Sequence, residues 1–331
     1  MTTQDLDVVG IGNAIVDVIS RAEEEFLVRH AIPKGTMTLI DAERATALYQ
    51  AMGAGVEASG GSVANSIAAL AGLGARGGYV GRVAKDELGR IFAHDIRAMG
   101  AVYEGPMREN GLPTARSLIF VTPDAHRSMN TYLGACTELA PDDIDPAFIG
   151  RARTLYLEGY LWDPPSAKQA FLKAMDIAHA SGAKVALSLS DPFCVERWRR
   201  EFRDLVDRHV DILFANEVEL MSLYEAAHFD DALQAVRGHV GVAALTRSEK
   251  GAVILADGEV HMVDAEPVAR IVDTTGAGDL FAAGFLTGLA QGRDYHTAGR
   301  MGAICAAEVI SHMGARPETD LKALVARRLA A

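Results

Sequence analysis

The stretch DTTGAGDLFAAGFL, residues 273–286, places two glycines and an aspartate directly before an apolar segment. From 279 to 291, Leu280, Phe281, Phe285, Leu286 and Leu289 fall on one broad apolar face, so a buried helix is expected to begin close to Asp279. Gly276, Ala277 and Gly278 then lie at its amino end. Backbone N–H groups there have no intrahelical partner, and glycine lets a phosphate approach them closely, which makes the loop a candidate anion hole. Taken alone, Asp279 would equally serve as a helix cap that complements the helix dipole.

Three further clusters have residue types suited to chemistry. In GGSVAN, residues 60–65, paired glycines before an Ala-rich segment allow close backbone approach to a ligand, and Asn65 offers a donor and an acceptor to a hydroxyl. In GIGNAIVD, residues 10–17, Ile15 stands where a dinucleotide fingerprint needs its third glycine, so that reading is rejected. Asp17 remains as a carboxylate able to accept two hydrogen bonds, or as a plain turn residue. In NEVE, residues 216–219, which follow the strand-like DILFA, Asn216 is suited to cap a helix.

These clusters need a scaffold, and the chain supplies strand-like apolar runs near Val8, Val80, Tyr156, Leu187, Leu213, Leu245 and Ile254. Most are separated by helical patterns such as SAKQAFLKAMDIAHASG, with Gly182 as its stop. That alternation predicts a mostly parallel, doubly wound sheet between helical layers. Two segments, approximately 17–40 and 101–132, instead read as short strands with turns, expected to form a small sheet that lids a site. No repeat or linker divides residues 1–331, so a single domain with a discontinuous lid is expected.

The 331 residues are 49% hydrophobic and 23% charged, values of a folded globular chain. A net charge of −12 argues against nucleic acid or an anionic membrane as main partner. Cys136, Cys194 and Cys305 have no CxxC spacing, which fits a reducing cytosol better than a disulfide framework. The amino terminus has no basic leader, and no apolar run reaches the roughly 20 residues of a membrane span, so neither export nor anchoring is expected.

Residues 273–286 resemble the second signature of the PfkB, or ribokinase-like, family of sugar and nucleoside kinases, matching at Asp273, Gly276, Ala277, Gly278, Asp279, Ala283 and Gly284. Residues 60–89 resemble the first signature, with Gly60, Gly61, Asn65, Gly74 and Gly89 in register. The resemblance covers nearly the whole chain. It implies a ribokinase-like three-layer α/β/α fold with a small β-sheet lid, and ATP and Mg²⁺ as cofactors. It also implies that Gly276, Ala277 and Gly278 stabilise the transferred phosphoryl group, Asp279 acts as general base and Asp17 holds sugar hydroxyls. Gly60, Gly61, Ser62 and Asn65 would line the substrate, Asn216 and Glu219 would organise the metal, and Thr246 and Thr274 would meet the nucleotide. In TRSEKGA, Ser248 departs from the glycine common there. Some relatives add a monovalent cation, here K⁺ near Asp273.

Three details are similar to the nucleoside-kinase branch. Asn13 precedes Asp17; Arg127, Met129, Thr131 and Leu133 occupy a segment where an arginine faces phosphates and alternate residues contact a nucleoside; Phe193 follows a Ser-x-Pro-Phe-like stretch that brings a ring to the base. Tyr160 falls where the family has an aromatic wall. Phe193 and Tyr160 could equally be packing residues. The expected reaction is phosphorylation of a purine nucleoside 5′-hydroxyl, adenosine first, by a cytoplasmic monomer or homodimer, with inosine or guanosine, or a ribose- or fructose-type sugar, as alternatives.

Overall fold

A computed structural model describes residues 4–124 and 126–330. Residues 1–3, which head the stretch read as lacking a leader, lie outside it with Ala125 and Ala331. Sixteen strands are named here in chain order: β1 (Leu6–Ile11), β2 (Ile15–Arg21), β3 (Met37–Leu39), β4 (Gly55–Gly60), β5 (Gly77–Val80), β6 (Val83–Ala84), β7 (Val102–Tyr103), β8 (Met107–Arg108), β9 (Ala115–Val121), β10 (Arg127–Tyr132), β11 (Ala152–Glu158), β12 (Lys184–Ser188), β13 (Ile212–Asn216), β14 (Val242–Thr246), β15 (Ala252–Ala256) and β16 (Glu259–Val263).

Nine of them form one sheet in the order β16-β15-β14-β13-β12-β11-β1-β5-β7. All neighbours from β7 to β14 are parallel, and β15 and β16 close one edge antiparallel. The apolar runs that predicted strands are buried on both faces, as a helix-covered parallel sheet requires. After β1 the chain adds strands in one direction, to β5 and β7, and from β11 it adds them in the other. Right-handed crossovers in opposite directions place helices on opposite faces, and the strand order reverses between β1 and β11. Ligands of such sheets bind at that reversal, outside the carboxyl ends of the strands. No helix among the described residues is long and apolar enough to cross a membrane.

A second, five-stranded sheet has the order β3-β10-β9-β2-β4. It differs from the sequence reading at three points. β4, from outside the two expected segments, forms one edge; Val102–Tyr103 pairs with β5 in the large sheet; and Met107–Arg108 pairs with β6 in a separate two-stranded sheet. The polar, small VEASG gives no apolar alternation to announce β4, because an edge strand needs less burial. Along β2, Val16, Val18 and Ser20 point into a buried layer that includes Leu48 and Phe120, whereas Ile15, Asp17 and Ile19 stay partly open. Asp17 is therefore a strand residue on the uncovered face rather than a turn residue.

The helix Ala277–Ala290 starts two residues earlier than its apolar face suggested. Gly276 is its N-cap with φ 80°, and a Cβ there would meet Ala315 at 2.8 Å, so only glycine fits without strain. The helix packs on Ser62–Gly72 and on Tyr295–Val309, close enough that a Cβ on Gly284 would sit 2.5 Å from the Met301 carbonyl. Pro165–Ala180 is helical as expected, with Gly182 at φ 77° just beyond its end.

Candidate active site

Asp279 does not cap its helix. It occupies the third helical position, and its side chain turns to the helix Ser62–Gly72, accepting from Ser62 Oγ at 2.6 Å and Asn65 Nδ2 at 3.0 Å. Ser66 Oγ donates to the Asp279 carbonyl at 2.9 Å. The two signature segments, far apart in sequence, thus meet at one carboxylate. Burial pushes the Asp279 acid up to about 6, against the opposing pull of those two donors and of Arg316.

Asp17 lies across from it on β2. A Cβ on Gly60 would meet an Asp17 carboxylate oxygen at 2.5 Å, so the glycine clears the space the carboxylate fills. Gly61, at φ 99°, turns β4 directly into the helix Ser62–Gly72, and a side chain there would overlap the Asn13 carbonyl. Burial raises Asp17 to about 6, with Arg127 and Arg316 acting to lower it and Asp279 to raise it.

At the strand reversal, Asn13 follows β1 and Glu158 ends β11. Asn13 donates through its backbone at 3.0 Å and through Nδ2 at 2.6 Å to Glu158, whose other oxygen accepts from Val63 N at 2.9 Å. The Asn13 Oδ1 and Asn65 Oδ1 atoms are buried without a partner. Such orphaned acceptors call for donors from a ligand, and hydroxyls would satisfy them. Nothing in the sequence marks Glu158, because a lone glutamate at a strand end has no signal that separates it from a solvated one.

Arg127 pairs with Asp273 instead of standing free. Asp273 also accepts from Thr275 N at 3.0 Å, Thr275 Oγ1 at 2.7 Å and Gly314 N at 2.9 Å. Arg127 Nε is buried without a partner, and a cavity of about 520 Å³ lined by Ile19, Val121, Arg127 and Gly314, among others, opens beside it. On the same face of β10, Met129 is half-buried, and Thr131 is buried with its hydroxyl 2.9 Å from Ser117 Oγ. Ser117 pairs in register with both Asp17 and Thr131. Leu133, half-buried, follows the strand.

Phe193 is 73% exposed, which removes the core-packing alternative. Tyr160 is only about one-third exposed, its hydroxyl donating to the Ser190 carbonyl at 3.0 Å. Asn216 and Glu219 form a closed capping box, with Glu219 N donating to Asn216 Oδ1 at 2.8 Å and Asn216 N to Glu219 Oε2 at 2.9 Å. Asn216 pairs in register with Thr246, so both stand at the carboxyl edge of the large sheet. Thr274 is exposed ahead of the glycine loop, and its carbonyl accepts from Ala277 N.

The description pfkB family carbohydrate kinase matches residues 35–321. The chain belongs to this family. It is similar to the crystal structure of adenosine kinase from Sinorhizobium meliloti, at 49% identity and TM-score 0.89 over 98% of this chain and 99% of that one. It is equally similar to the crystal structure of a probable sugar kinase from Rhizobium etli CFN 42, at 49% identity and TM-score 0.90 over 99% and 100% of the two chains. Among curated relatives, probable fructokinase-3 of Arabidopsis thaliana is 28% identical over 244 residues, 70% of this chain and 69% of its own. The fold is the ribokinase-like α/β architecture of these kinases.

As a kinase of this family the chain handles ATP, usually with Mg²⁺. No group of three or more His, Cys, Asp or Glu residues is arranged to cage a metal among the described residues. Glu219 is buried, and its two oxygens accept from Asn216 N at 2.9 Å and Nδ2 at 2.6 Å, so a magnesium ion would be met through its water shell rather than by direct ligation. Potassium at Asp273 fits poorly, because both carboxylate oxygens are occupied and the Arg127 guanidinium already supplies the cation there.

One more charged residue near the two carboxylates has no sequence signal. Arg316, in the loop after Tyr295–Val309, donates to the Ser59 carbonyl next to Gly60, which abuts Asp17, and to the Ala64 carbonyl in the helix that holds Asp279, so its charge lies close enough to draw both acids down. It lies well beyond the second signature, so no spacing pointed to it.

Proposed function

We propose that this kinase transfers the γ-phosphoryl group of ATP to the 5′-hydroxyl of a purine nucleoside, adenosine foremost. The observation that carries the reading is the Asp279 carboxylate, aimed by Ser62 and Asn65 beside the glycine-lined start of the helix Ala277–Ala290. The substrate hydroxyl gives its proton to Asp279 as its oxygen bonds the γ-phosphorus; the bond to the β-phosphate oxygen breaks and ADP leaves. The N–H groups of Gly276 and Gly278 receive the charge on the transferred group, with that of Ala277 once it leaves the Thr274 carbonyl, joined by the spare Nε of Arg127.

Asp17 and the unpartnered Oδ1 atoms of Asn13 and Asn65 accept from ribose hydroxyls. Met129, Thr131, Leu133 and Tyr160 line the nucleoside. The exposed ring of Phe193 stacks on the base, a contact of about 1 to 3 kcal/mol by analogy with base stacking elsewhere. Thr246 and Thr274 contact ATP. Bound magnesium neutralises phosphate charge, and Asn216 with Glu219 would orient its waters. The five-stranded sheet closes over the substrate and keeps water from the phosphoryl group.

The similarity to the S. meliloti adenosine kinase supports a nucleoside, and the equal similarity to the R. etli probable sugar kinase keeps a free sugar as the second reading. ADP formation with ATP and Mg²⁺ is to be measured across adenosine, inosine, guanosine, ribose and fructose, with Asp279→Asn as blank. Preference for adenosine supports the proposal. Turnover of a free sugar alone would keep the phosphotransfer and overturn the substrate.

A further inference from the structure

Arg316 Nε and Nη2 donate to the Ser59 carbonyl at 3.3 and 2.8 Å, Nη2 also to Ser59 Oγ at 2.8 Å, and Nη1 to the Ala64 carbonyl at 3.1 Å. Ser59 sits on β4, just before the Gly60–Gly61 turn, and Ala64 sits in the first turn of the helix that presents Ser62 and Asn65 to Asp279. Asp95 Oδ2 accepts from Ser59 N at 2.7 Å on the far side. One side chain from the carboxyl-terminal loop therefore ties the edge strand of the small sheet to the helix that aims the candidate base.

All four of those hydrogen bonds go to neutral oxygens. A desolvated guanidinium is costly unless negative charge lies near it, and the carboxylates acting on Arg316 are Asp95, Asp17 and Asp279. Arg127, the other cation near Asp17, is already engaged by Asp273. A neutral side chain could hold two carbonyls and a hydroxyl; a cation is needed only for the carboxylates.

We propose that Arg316 is a positioning residue for phosphoryl transfer, clamped by Ser59 and Ala64 so that its fixed charge lets Asp17 and Asp279 face one substrate together while its hydrogen bonds hold the Gly60–Gly61 turn. The inference rests on the phosphotransferase reading above. The groups facing Asp279 are Ser62 and Asn65 from the helix Ser62–Gly72, Tyr156 and Glu158 from β11, Tyr160 beyond it, Asp17 from β2 and Arg316. Arg316 is the one cation among them.

The test compares the full chain with Arg316→Gln and Arg316→Lys, reading kcat and KM for adenosine from pH 5 to 9 and thermal unfolding over the same range. In the glutamine variant the acid limb of kcat/KM should move up by about one pH unit, a tenfold loss on that limb, because an opposite charge nearby favours the carboxylate. The lysine variant keeps the charge but not the fork, so its limb should stay in place while KM rises several-fold. An unmoved limb in the glutamine variant, or a moved one in the lysine variant, overturns the proposal; if the glutamine variant does not fold, the lysine variant decides alone.

Unfolding gives a readout that needs no turnover. The stability lost in Arg316→Gln should grow as pH rises through 6, when both carboxylates ionise without their cation. A loss independent of pH would reduce Arg316 to a packing role. Wild-type turnover no greater than that of Asp279→Asn would refute the phosphotransferase reading, and the unfolding comparison would still judge Arg316.

Discussion

Arg127 on the small sheet and Asp273 ahead of the glycine loop form an ion pair, and the same carboxylate fastens Thr275 and Gly314. Two distant segments, β10 and the loop at Gly314, therefore converge on Asp273 and its own loop. Asp273→Ala should lose about 3 to 5 kcal/mol of stability, since it strands a buried cation and several N–H and O–H donors. Arg127→Ala should lose clearly less, because Asp273 keeps its other donors. Denaturant unfolding of the two variants checks the order, and equal losses would contradict the convergence.

Asp279→Asn should lower kcat by roughly 10²- to 10⁴-fold, the usual contribution of a positioned base, while nucleoside affinity changes little. In the unaltered protein, kcat/KM should rise with pH through about 6, because the proposed base acts only when deprotonated and burial raises the Asp279 acid to that value. Stopped assays across pH with a dissociation constant for each protein settle both points.

Asp17 is ionised in the folded protein at a cost. Its acid lies near 6 when folded against about 4 unfolded, so protonation stabilises the fold below about pH 4, and that stability is lost as pH rises through 6. Asp17→Asn mimics the protonated form and should gain about 1 to 3 kcal/mol at pH 8, with the gain gone by pH 4 and substrate binding lost. A melting series across pH reads this directly.

Phe193→Ala should leave the melting temperature unchanged, because a ring this exposed packs against little. KM for adenosine should rise by about 5- to 100-fold if the ring stacks on a base. Unchanged KM with adenosine would remove Phe193 from the site.

What could be read from the sequence was local. The apolar face after Asp279 and the glycines before it declare a helix start in fourteen residues, and the buried strand runs declare the large sheet. The partners of those residues were not readable, because Ser62 meeting Asp279, Asn13 meeting Glu158 and Arg316 meeting Ser59 depend on tertiary packing between distant segments. The edge strand β4 was missed for a different reason. Half-exposed, with Glu, Ala and Ser in its sequence, it owes its strand state to pairing with β2 rather than to its own composition. Asn216 and Glu219 carry the residue types of a cap, and the capping box takes that geometry.

The parallel pairing of β2 with β9 joins Asp17 to Ser117 across a long intervening stretch that must itself lay down β5 and β7 in the other sheet. Such a closure is entropically expensive until neighbouring contacts exist to reward it. The large sheet carries a longer closure still, Leu6 pairing with Ala152, so the two sheets should form together in one cooperative step. The glycine loop and the strand that carries Asp17 should then gain their order in the same event, because Asp279 meets Ser62 and Asn65 only when both ends of the chain are in place.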